Sequence, residues 1–465
     1  MSVFTAYSND EILDYLKQQA PHAQIHVADQ TAAKYSANGK AQAKIDGQIL
    51  AYVAVGDKND IRGVLKTATK FHLPVVPQTA DTSTVIGADG INGGIILSLA
   101  RMNKIIEVNE ADLLAVVEPG VINQDLDQAA RQHGLFYAPD PASKPISSIG
   151  GNVSTNAGGL SGVKYGATKD SVLGLKVMLA NGQEIKVGGR TTKQAFGYNL
   201  TQLFVGSEGT LGIITEITVR LFPIPLGEKI YGIAFFDNMA KLAQGVHALR
   251  ISGLYPSMLE GLDGKTVQAL DQYKQTHYAK SATSALLIFM FDDASQVQLE
   301  KSQQVLQAKG AWGIQVTSEP AKGQQLIQLR RDMLPAVFAN GKYYIMEDMA
   351  VPLSKLAEMA DYIVQVGEKL QVNIYTAGHA GDGNLHPTLL WNDQPQAPAN
   401  VIEATRRLFH KALALGGTIS GEHAVGMSKN QWNNEELGEN VDVLQHQIKA
   451  LFDPMNILNP KRKIN

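Results

Sequence analysis

Residues 150–166 read GGNVSTNAGGLSGVKYG, and the fold turns on what this stretch is for. Paired glycines flank small polar residues, so the backbone can come close to something flat or charged. The alternative is a glycine-rich turn with a purely structural role. A Rossmann site is poorly supported, because no G-x-G-x-x-G follows a strand and opens a helix. GSEGTLG at 206–212 spaces its glycines by three, which implies a different geometry.

Downstream, LGLKVMLANGQEIKV sets Asn181-Gly182 between two apolar runs, a strong hairpin signal. GSEGTLGII closes this region, and TEITVRLFPIP leaves it through two prolines, which places a domain boundary near Phe222. Upstream, Ile61, Leu65, Ala68 and Phe71 fall at helical spacing within 60–72, with Asn59 or Asp60 as the cap. LPVVP reads as a short buried strand, and GGIILS at 93–98 and LLAVVE at 113–118 as two more. Residues 122–133 form a helix stopped by Gly134. Helices and strands mix along this part, an α+β pattern. Residues 223–415 hold two helix-and-strand alternations, with LLIFMF at 286–291 as a strand and 401–415 as a helix stopped by Gly416 and Gly417. The tail helix 443–452 places Leu444, Ile448, Leu451 and Phe452 on one face, and Asp453-Pro454 ends it. The expected domains are 1–222, 223–415 and 416–465.

At 465 residues the chain can bury a large core and divide into domains. The 41 Lys and Arg against 44 Asp and Glu, with no basic tract, argue against a nucleic-acid partner. The absence of cysteine excludes disulfides, thiolate metal sites, cysteine nucleophiles and a cysteine-bound iron–sulfur cluster. It also fits a reducing cytosol. The start, MSVFTAYSNDEILDYLKQQ, lacks the basic-then-apolar pattern of a signal peptide. No run approaches the ~18 apolar residues of a membrane span. A cytoplasmic protein is expected, with peripheral membrane contact left open.

Two segments can carry chemistry. GHAGDGNLH at 378–386 brings His379 and His386 to the ends of a glycine-rich reversal, where two imidazoles can share one metal ion. The same spacing suits a turn with two ordinary polar histidines, because it is no general zinc signature. GEHAVG at 421–426 adds Glu422 and His423. One carboxylate and two imidazoles make a three-ligand site with open positions, suited to catalysis. His423 then remains as a general base.

Taken together, PDPASKPISSIGGNVSTNAGG, KYGATKDSVLGLKVMLANG, LFVGSEGTLGIITE, EDMAVP, GHAGDGNLHP, GEHAVG and FDPMNILNP resemble the FAD-linked oxidase superfamily of the vanillyl-alcohol oxidase and p-cresol methylhydroxylase type. Within it the chain looks like the branch of D-lactate dehydrogenase, the FAD subunit of glycolate oxidase and D-2-hydroxyglutarate dehydrogenase. The likeness spans almost the whole chain. It implies an α+β fold: a PCMH-type FAD-binding domain of two subdomains, an α+β cap domain for substrate, and a C-terminal tail that returns to the FAD domain.

By this resemblance Pro77, Thr79, Asp81, Thr82 and Ser83 form a first cofactor loop. Pro141, Ser147, Gly150, Gly151, Asn152, Ser154, Thr155, Gly158, Gly159 and Tyr165 form a second contact run. Glu208, Gly209, Gly212, Ile213 and Ile214 line the adenosine or ribityl side, and Asn459 reaches the cofactor from the tail. The resemblance makes His379, His386 and Glu422 ligands of a divalent ion, zinc or manganese, and His423 the base. Arg331 clamps the substrate carboxylate, with Arg330 as its rival, and Thr388 contacts either substrate or nothing. The implied reaction is oxidation of a D-2-hydroxy acid, D-lactate or glycolate, to the 2-oxo acid with hydride going to flavin N5.

Three departures stand out. Relatives carry glycines where Thr79 and Asp81 stand, and often a basic residue at Gln78. Some place a second-carboxylate lysine near Met346, which cannot serve that role, and this favours a monocarboxylate here. An asparagine is common where Thr388 stands. The 77–88 loop holds neither histidine nor cysteine, so non-covalent FAD is expected. The electron acceptor is open: a quinone, an electron-transfer flavoprotein, another subunit or oxygen. Two rival readings remain, a flavoprotein subunit that only relays electrons within a larger oxidase complex, and a metal-dependent hydrolase without flavin.

Overall fold

The computed structural model describes residues 7–27 and 48–464. The chain parts into two units. Unit 1 gathers residues up to Ala157, 167–224 and 422–465, and unit 2 gathers 158–166 and 225–421. The sequence reading put its breaks after 222 and 415, whereas the structure puts them after Ile224 and Gly421. Residues 416–421 stay with unit 2 because Thr418 pairs with Ala350, exchanging N–H···O bonds of 3.1 and 2.8 Å. The short segment 158–166 joins it too. Lys164 Nζ and the Tyr165 hydroxyl both donate to Asp292, at 2.5 and 2.6 Å.

Among the described residues, unit 1 holds two larger sheets and a two-stranded pair. The first comprises β1 (Gln24–Val27), β2 (Ala51–Ala54), β3 (Val75–Gln78) and β4 (Ile95–Ser98) in the order β1-β2-β4-β3. β2 and β3 run parallel to β4, and β1 is antiparallel to β2. Parallel strands of one sheet need a crossover, and the helix Lys58–Phe71 supplies the one from β2 to β3, which flank β4. Its cap is Asp57, not Asn59 or Asp60. Asp57 Oδ1 accepts the N–H groups of Asn59 and Asp60 at 2.7 and 3.1 Å, which satisfies two orphan donors of the first turn.

The remaining strands of unit 1 are β5 (Ile105–Asn109), β6 (Leu114–Val117), β7 (Leu135–Phe136), β8 (Val172–Met178), β9 (Glu184–Gly188), β10 (Ile213–Arg220) and β11 (Phe222–Pro223). Five of them make an antiparallel sheet in the order β5-β6-β10-β8-β9, and β7 pairs with β11. The Asn181-Gly182 turn joins β8 to β9, with Gly182 at φ +80°. Each sheet has its own core: Leu16, Val53, Ile61, Leu65 and Ile95 belong to the first, and Leu126, Ile149, Val177, Phe204 and Ile217 to the second. These are the two expected α+β subdomains.

The tail returns to the first sheet. Val75 N–H donates to Ile457 O at 2.7 Å and Asn459 N–H to Val75 O at 2.8 Å. The helix Glu439–Phe452 departs from the expected face. Ile448 and Phe452 pack on the second core, but Leu444 and Leu451 are 53% and 79% exposed. Lys449 turns inward instead, and its Nζ donates to Thr210 O and Leu458 O, both at 2.8 Å, and to Asp453.

Unit 2 is built on one antiparallel sheet. Its strands are β12 (Glu228–Phe236), β13 (Met258–Leu262), β14 (Ala285–Ala294), β15 (Trp312–Thr317), β16 (Tyr343–Met346), β17 (Met349–Ala350), β18 (Asn373–Gly378) and β19 (Asn384–Trp391). The order is β15-β12-β14-β13-β18-β19-β16, and β17 pairs with β19. β14 contains LLIFMF, whose near-continuous apolar run matches burial on both faces.

Candidate active site

In unit 2 the GHAGDGNLH segment is the reversal between β18 and β19. Gly378 is needed there because a Cβ would meet Asn384 O at 2.2 Å. Gly383 sits at φ +85°. The two flanking histidines come together, with ring centroids 5.3 Å apart and rings nearly perpendicular. Both are buried, and each has a carboxylate at Nδ1. His379 Nδ1 lies 2.6 Å from Glu260 Oε1, and His386 Nδ1 lies 3.6 Å from Asp348 Oδ1. The Glu260 carboxylate on Nδ1 of His379 fixes that ring's tautomer and turns its Nε2 lone pair outward, the arrangement seen behind metal-bound histidines, whereas Asp348 Oδ1 lies beyond hydrogen-bond reach of His386 Nδ1. Imidazole donors of this kind could hold a divalent ion.

Glu260 also accepts from Arg330 Nε at 2.6 Å. Burial raises its carboxyl, but the charges of His379 and Arg330 and their hydrogen bonds outweigh this and hold it below the usual carboxylate range. Asn384 Nδ2 donates to Asp348 Oδ1 at 2.8 Å, and Ser420 Oγ reaches Asp348 Oδ2 at 3.4 Å. On a strand every second side chain shares a face, so Asn384, His386 and Thr388 line up along β19. Met346 pairs directly with Thr388. A Cβ on Gly421 would lie 1.8 Å from Asn384 Nδ2, so the last residue of unit 2 abuts this cluster.

Arg331, the expected carboxylate clamp, is exposed on the helix Pro320–Phe338. Consecutive helical residues point about 100° apart, and Arg330 is the one turned towards Glu260. Glu422 and His423 open the final segment of unit 1, with His423 Nε2 4.0 Å from Glu422 Oε1.

Unit 1 brings together three of the expected cofactor segments. Ser148 caps the helix Ile149–Thr155, accepting from Gly151 N at 3.2 Å, and its hydroxyl donates to Thr79 Oγ1 at 2.6 Å. That bond ties the 77–88 loop to the glycine-rich helix. Gln78 Nε2 closes the loop on itself through Ala88 O at 3.0 Å. Pro77, Asp81, Thr82, Ser83 and Pro141 are half-buried, as are Ser154 and Thr155. Thr155 Oγ1 bonds back to Gly151 O at 3.0 Å.

FAD fits this unit. Ser147 Oγ and Asn152 Nδ2 are buried with no hydrogen-bond partner among the described residues. The hydroxyls and phosphate oxygens of a dinucleotide would supply such partners. Tyr137, which the sequence reading missed, is in the same state, and burial pushes its hydroxyl pKa up.

Other expected contacts sit differently. Gly150, Gly209 and Gly212 are glycine because protein atoms fill their Cβ positions: Pro119 at 2.5 Å, Pro77 at 2.3 Å and Val177 at 2.4 Å. Ile213 and Ile214 point into the first and second cores. Asn459 Nδ2 donates to Gly87 O and Glu208 O at 2.9 and 2.7 Å, while its Oδ1 has no partner among the described residues. Gly158, Gly159 and Tyr165 belong to unit 2. The Glu208 carboxylate is taken by the N–H groups of Val425 and Gly426. Sequence reasoning also missed Glu260, for which no motif signals a role, and Asp348, which was visible inside EDMAVP.

Comparison with known proteins gives two family matches. Residues 49–188 match the family described as FAD binding domain, and residues 227–462 the family described as FAD linked oxidases, C-terminal domain. The glycolate oxidase subunit GlcD of Bacillus subtilis (strain 168) is 39% identical over 414 residues, which cover 88% of each chain. The D-lactate dehydrogenase of Anaerostipes hadrus is 33% identical over 466 residues, covering 97% of this chain and 96% of its own. Among solved structures, p-cresol methylhydroxylase with substrate bound aligns at a TM-score of 0.80 and 18% identity, covering 98% of this chain and 97% of that one. The 4-ethylphenol oxidase from Gulosibacter chungangensis aligns at 0.77 and 16% identity, covering 100% and 99%. At such identities the structural likeness shows the fold alone. No described helix is long and apolar enough to cross a membrane.

Proposed function

The chain belongs to the FAD-linked oxidases, and from that membership we propose that it oxidises a small D-2-hydroxy acid, D-lactate or glycolate, to the 2-oxo acid. FAD-dependent oxidation of hydroxy acids is the coarser statement its relatives' names support, and FAD, when bound, accepts the hydride. The observation that carries the finer reading is the His379–His386 pair, with Glu260 hydrogen-bonded to His379, Asp348 beside His386, and Thr388 following on the same strand face. His379, His386 and Glu422 would hold zinc or manganese, which would lower the pKa of a bound hydroxyl. Glu260 keeps the proton on His379 Nδ1 so that Nε2 stays a ligand. His423 takes the substrate's hydroxyl proton on an imidazole nitrogen.

Arg330 replaces Arg331 as the carboxylate clamp. Its Nε is held by Glu260, which aims the terminal nitrogens, and a planar guanidinium suits bidentate contact. Met346 beside Thr388 offers no second cation, which supports a monocarboxylate. FAD is held non-covalently, since no histidine or cysteine stands in the 77–88 loop. The electrons leave to an acceptor outside the chain, and the relative named as an oxidase subunit favours another protein chain for that part.

A screen of D- and L-2-hydroxy acids with a dye acceptor tests the substrate class. His423→Ala should keep its flavin absorbance and lose about 10²- to 10⁴-fold in turnover. Chelation should remove activity without removing flavin, and added zinc or manganese should restore it. Turnover that survives both treatments overturns the metal-and-base reading. A flavoprotein inert on every 2-hydroxy acid overturns the substrate class.

A further inference from the structure

Glu208 is 6% exposed and adopts φ +56°, an unusual backbone state for a glutamate. Its own backbone is pinned on both sides. The N–H donates to Ser154 O at 2.8 Å, and the C=O accepts from Asn459 Nδ2 at 2.7 Å. Its two carboxylate oxygens are taken separately, Oε1 by Val425 N–H at 2.9 Å and Oε2 by Gly426 N–H at 2.8 Å. Ala424 and Gly426 lie at φ +72° and +54°. Such a backbone turns successive N–H groups to one side and forms an anion-binding nest. Here the anion is the protein's own. The same loop is stitched once more, by Met427 N–H to Ile86 O at 3.0 Å and Ile86 N–H to Ser428 Oγ at 3.3 Å.

We infer that Glu208 is a positioning residue: its buried carboxylate anchors the 422–428 loop, and with it His423, to the glycine-rich helix 149–155 and the C-terminal tail. This rests on the reading of His423 as the base. No other side chain does the job equally well. Glutamine would set an NH₂ group against one of the two N–H donors, and aspartate keeps the charge but falls one methylene short. The contact is charge-assisted at both oxygens, so its loss should free the loop while leaving the cofactor segments in place.

The test uses the holoenzyme of Glu208→Gln and Glu208→Asp, with flavin content, hydrogen exchange at amides 424–428, kcat and KM as readouts. In Glu208→Gln we expect wild-type flavin content, at least about tenfold faster exchange at 424–428, and kcat down about tenfold or more with KM within about twofold. Glu208→Asp should recover part of the protection and part of kcat, and it carries the same readouts if the glutamine variant does not fold. Lost flavin with unchanged exchange at 424–428 would return Glu208 to the cofactor and overturn the proposal, as would unchanged kcat beside accelerated exchange. His423→Ala separates the two readings. If it retains turnover while Glu208→Gln exposes the loop and lowers kcat, the base assignment falls and the anchoring stands. If it abolishes turnover while Glu208→Gln changes neither exchange nor kcat, the anchoring falls and the base stands.

Discussion

Asp81 holds its backbone at φ +48°, in the left-handed region. The left-handed state costs an L-residue roughly 1–2 kcal/mol, and aspartate and asparagine bear it better than most because their short polar side chains bond locally. This explains how the loop keeps its shape without glycine at that place. Glycine was legible as missing, and the tolerance of aspartate for the same conformation is the physical substitute. Asp81→Gly should therefore relieve strain, partly offset by glycine's freer unfolded chain, for a net gain of about 0.5–1 kcal/mol in a denaturant titration. FAD affinity should not fall. A tenfold loss of affinity would make the Asp81 side chain a brace that glycine cannot replace. Thr79 makes the same point in another way, since its hydroxyl accepts from Ser148 and so ties the loop to helix 149–155, which a glycine at that place could not do.

The helix Glu439–Phe452 is held less by its apolar face than by one lysine. Lys449 Nζ is buried among Thr210 O, Leu458 O and the Asp453 carboxylate, which in turn accepts from the N–H groups of Ile457 and Leu458 at 3.1 and 2.7 Å. Removing one partner of a buried ion pair strands the other, at a cost of about 3–5 kcal/mol. Lys449→Met should lower the unfolding free energy by about that amount, and Lys449→Met/Asp453→Asn by clearly less than the sum of the single changes. Additive effects would show that the pair is not coupled. The sequence made this helix and its Asp453-Pro454 stop legible, as it did the Asn181-Gly182 hairpin and the β3 strand, because local periodicity and turn chemistry set them. It could not show that Lys449 faces inward, since a lysine in a helix ordinarily reads as solvent-facing. Candidate-site legibility divided likewise. His379 and His386 come together because a tight reversal in the sequence brings them there. Glu260, 119 positions away from His379, reaches it only through the pairing of β13 with β18. The choice between Arg330 and Arg331 is one of helix rotation, which no motif encodes.

At the scale of the whole chain, unit 1 is discontinuous, and its last stretch supplies contacts that the first two cannot replace. Leu458 bridges to Val75 alongside β3, Ile457 and Leu458 complete the first core, and Ile448 and Phe452 pack against the second. Asn459 joins Gly87 O to Glu208 O, so the first cofactor loop and the 206–212 loop are held by one tail residue. A fragment of residues 1–224 would therefore expose the edge of β3 and apolar surface in both cores. We predict that it melts without a cooperative transition and binds FAD at least about tenfold more weakly than the same fragment joined to residues 422–465 through a flexible Gly/Ser linker, which should melt cooperatively. Unfolding followed by circular dichroism, with flavin fluorescence for binding, distinguishes the two. If residues 1–224 alone melt cooperatively and hold FAD as tightly as the joined fragment, the tail is dispensable to unit 1. Its contacts with β3 and the 206–212 loop would then need a purpose other than stability, and the anchoring of the 422–428 loop by Glu208 is one the structure offers.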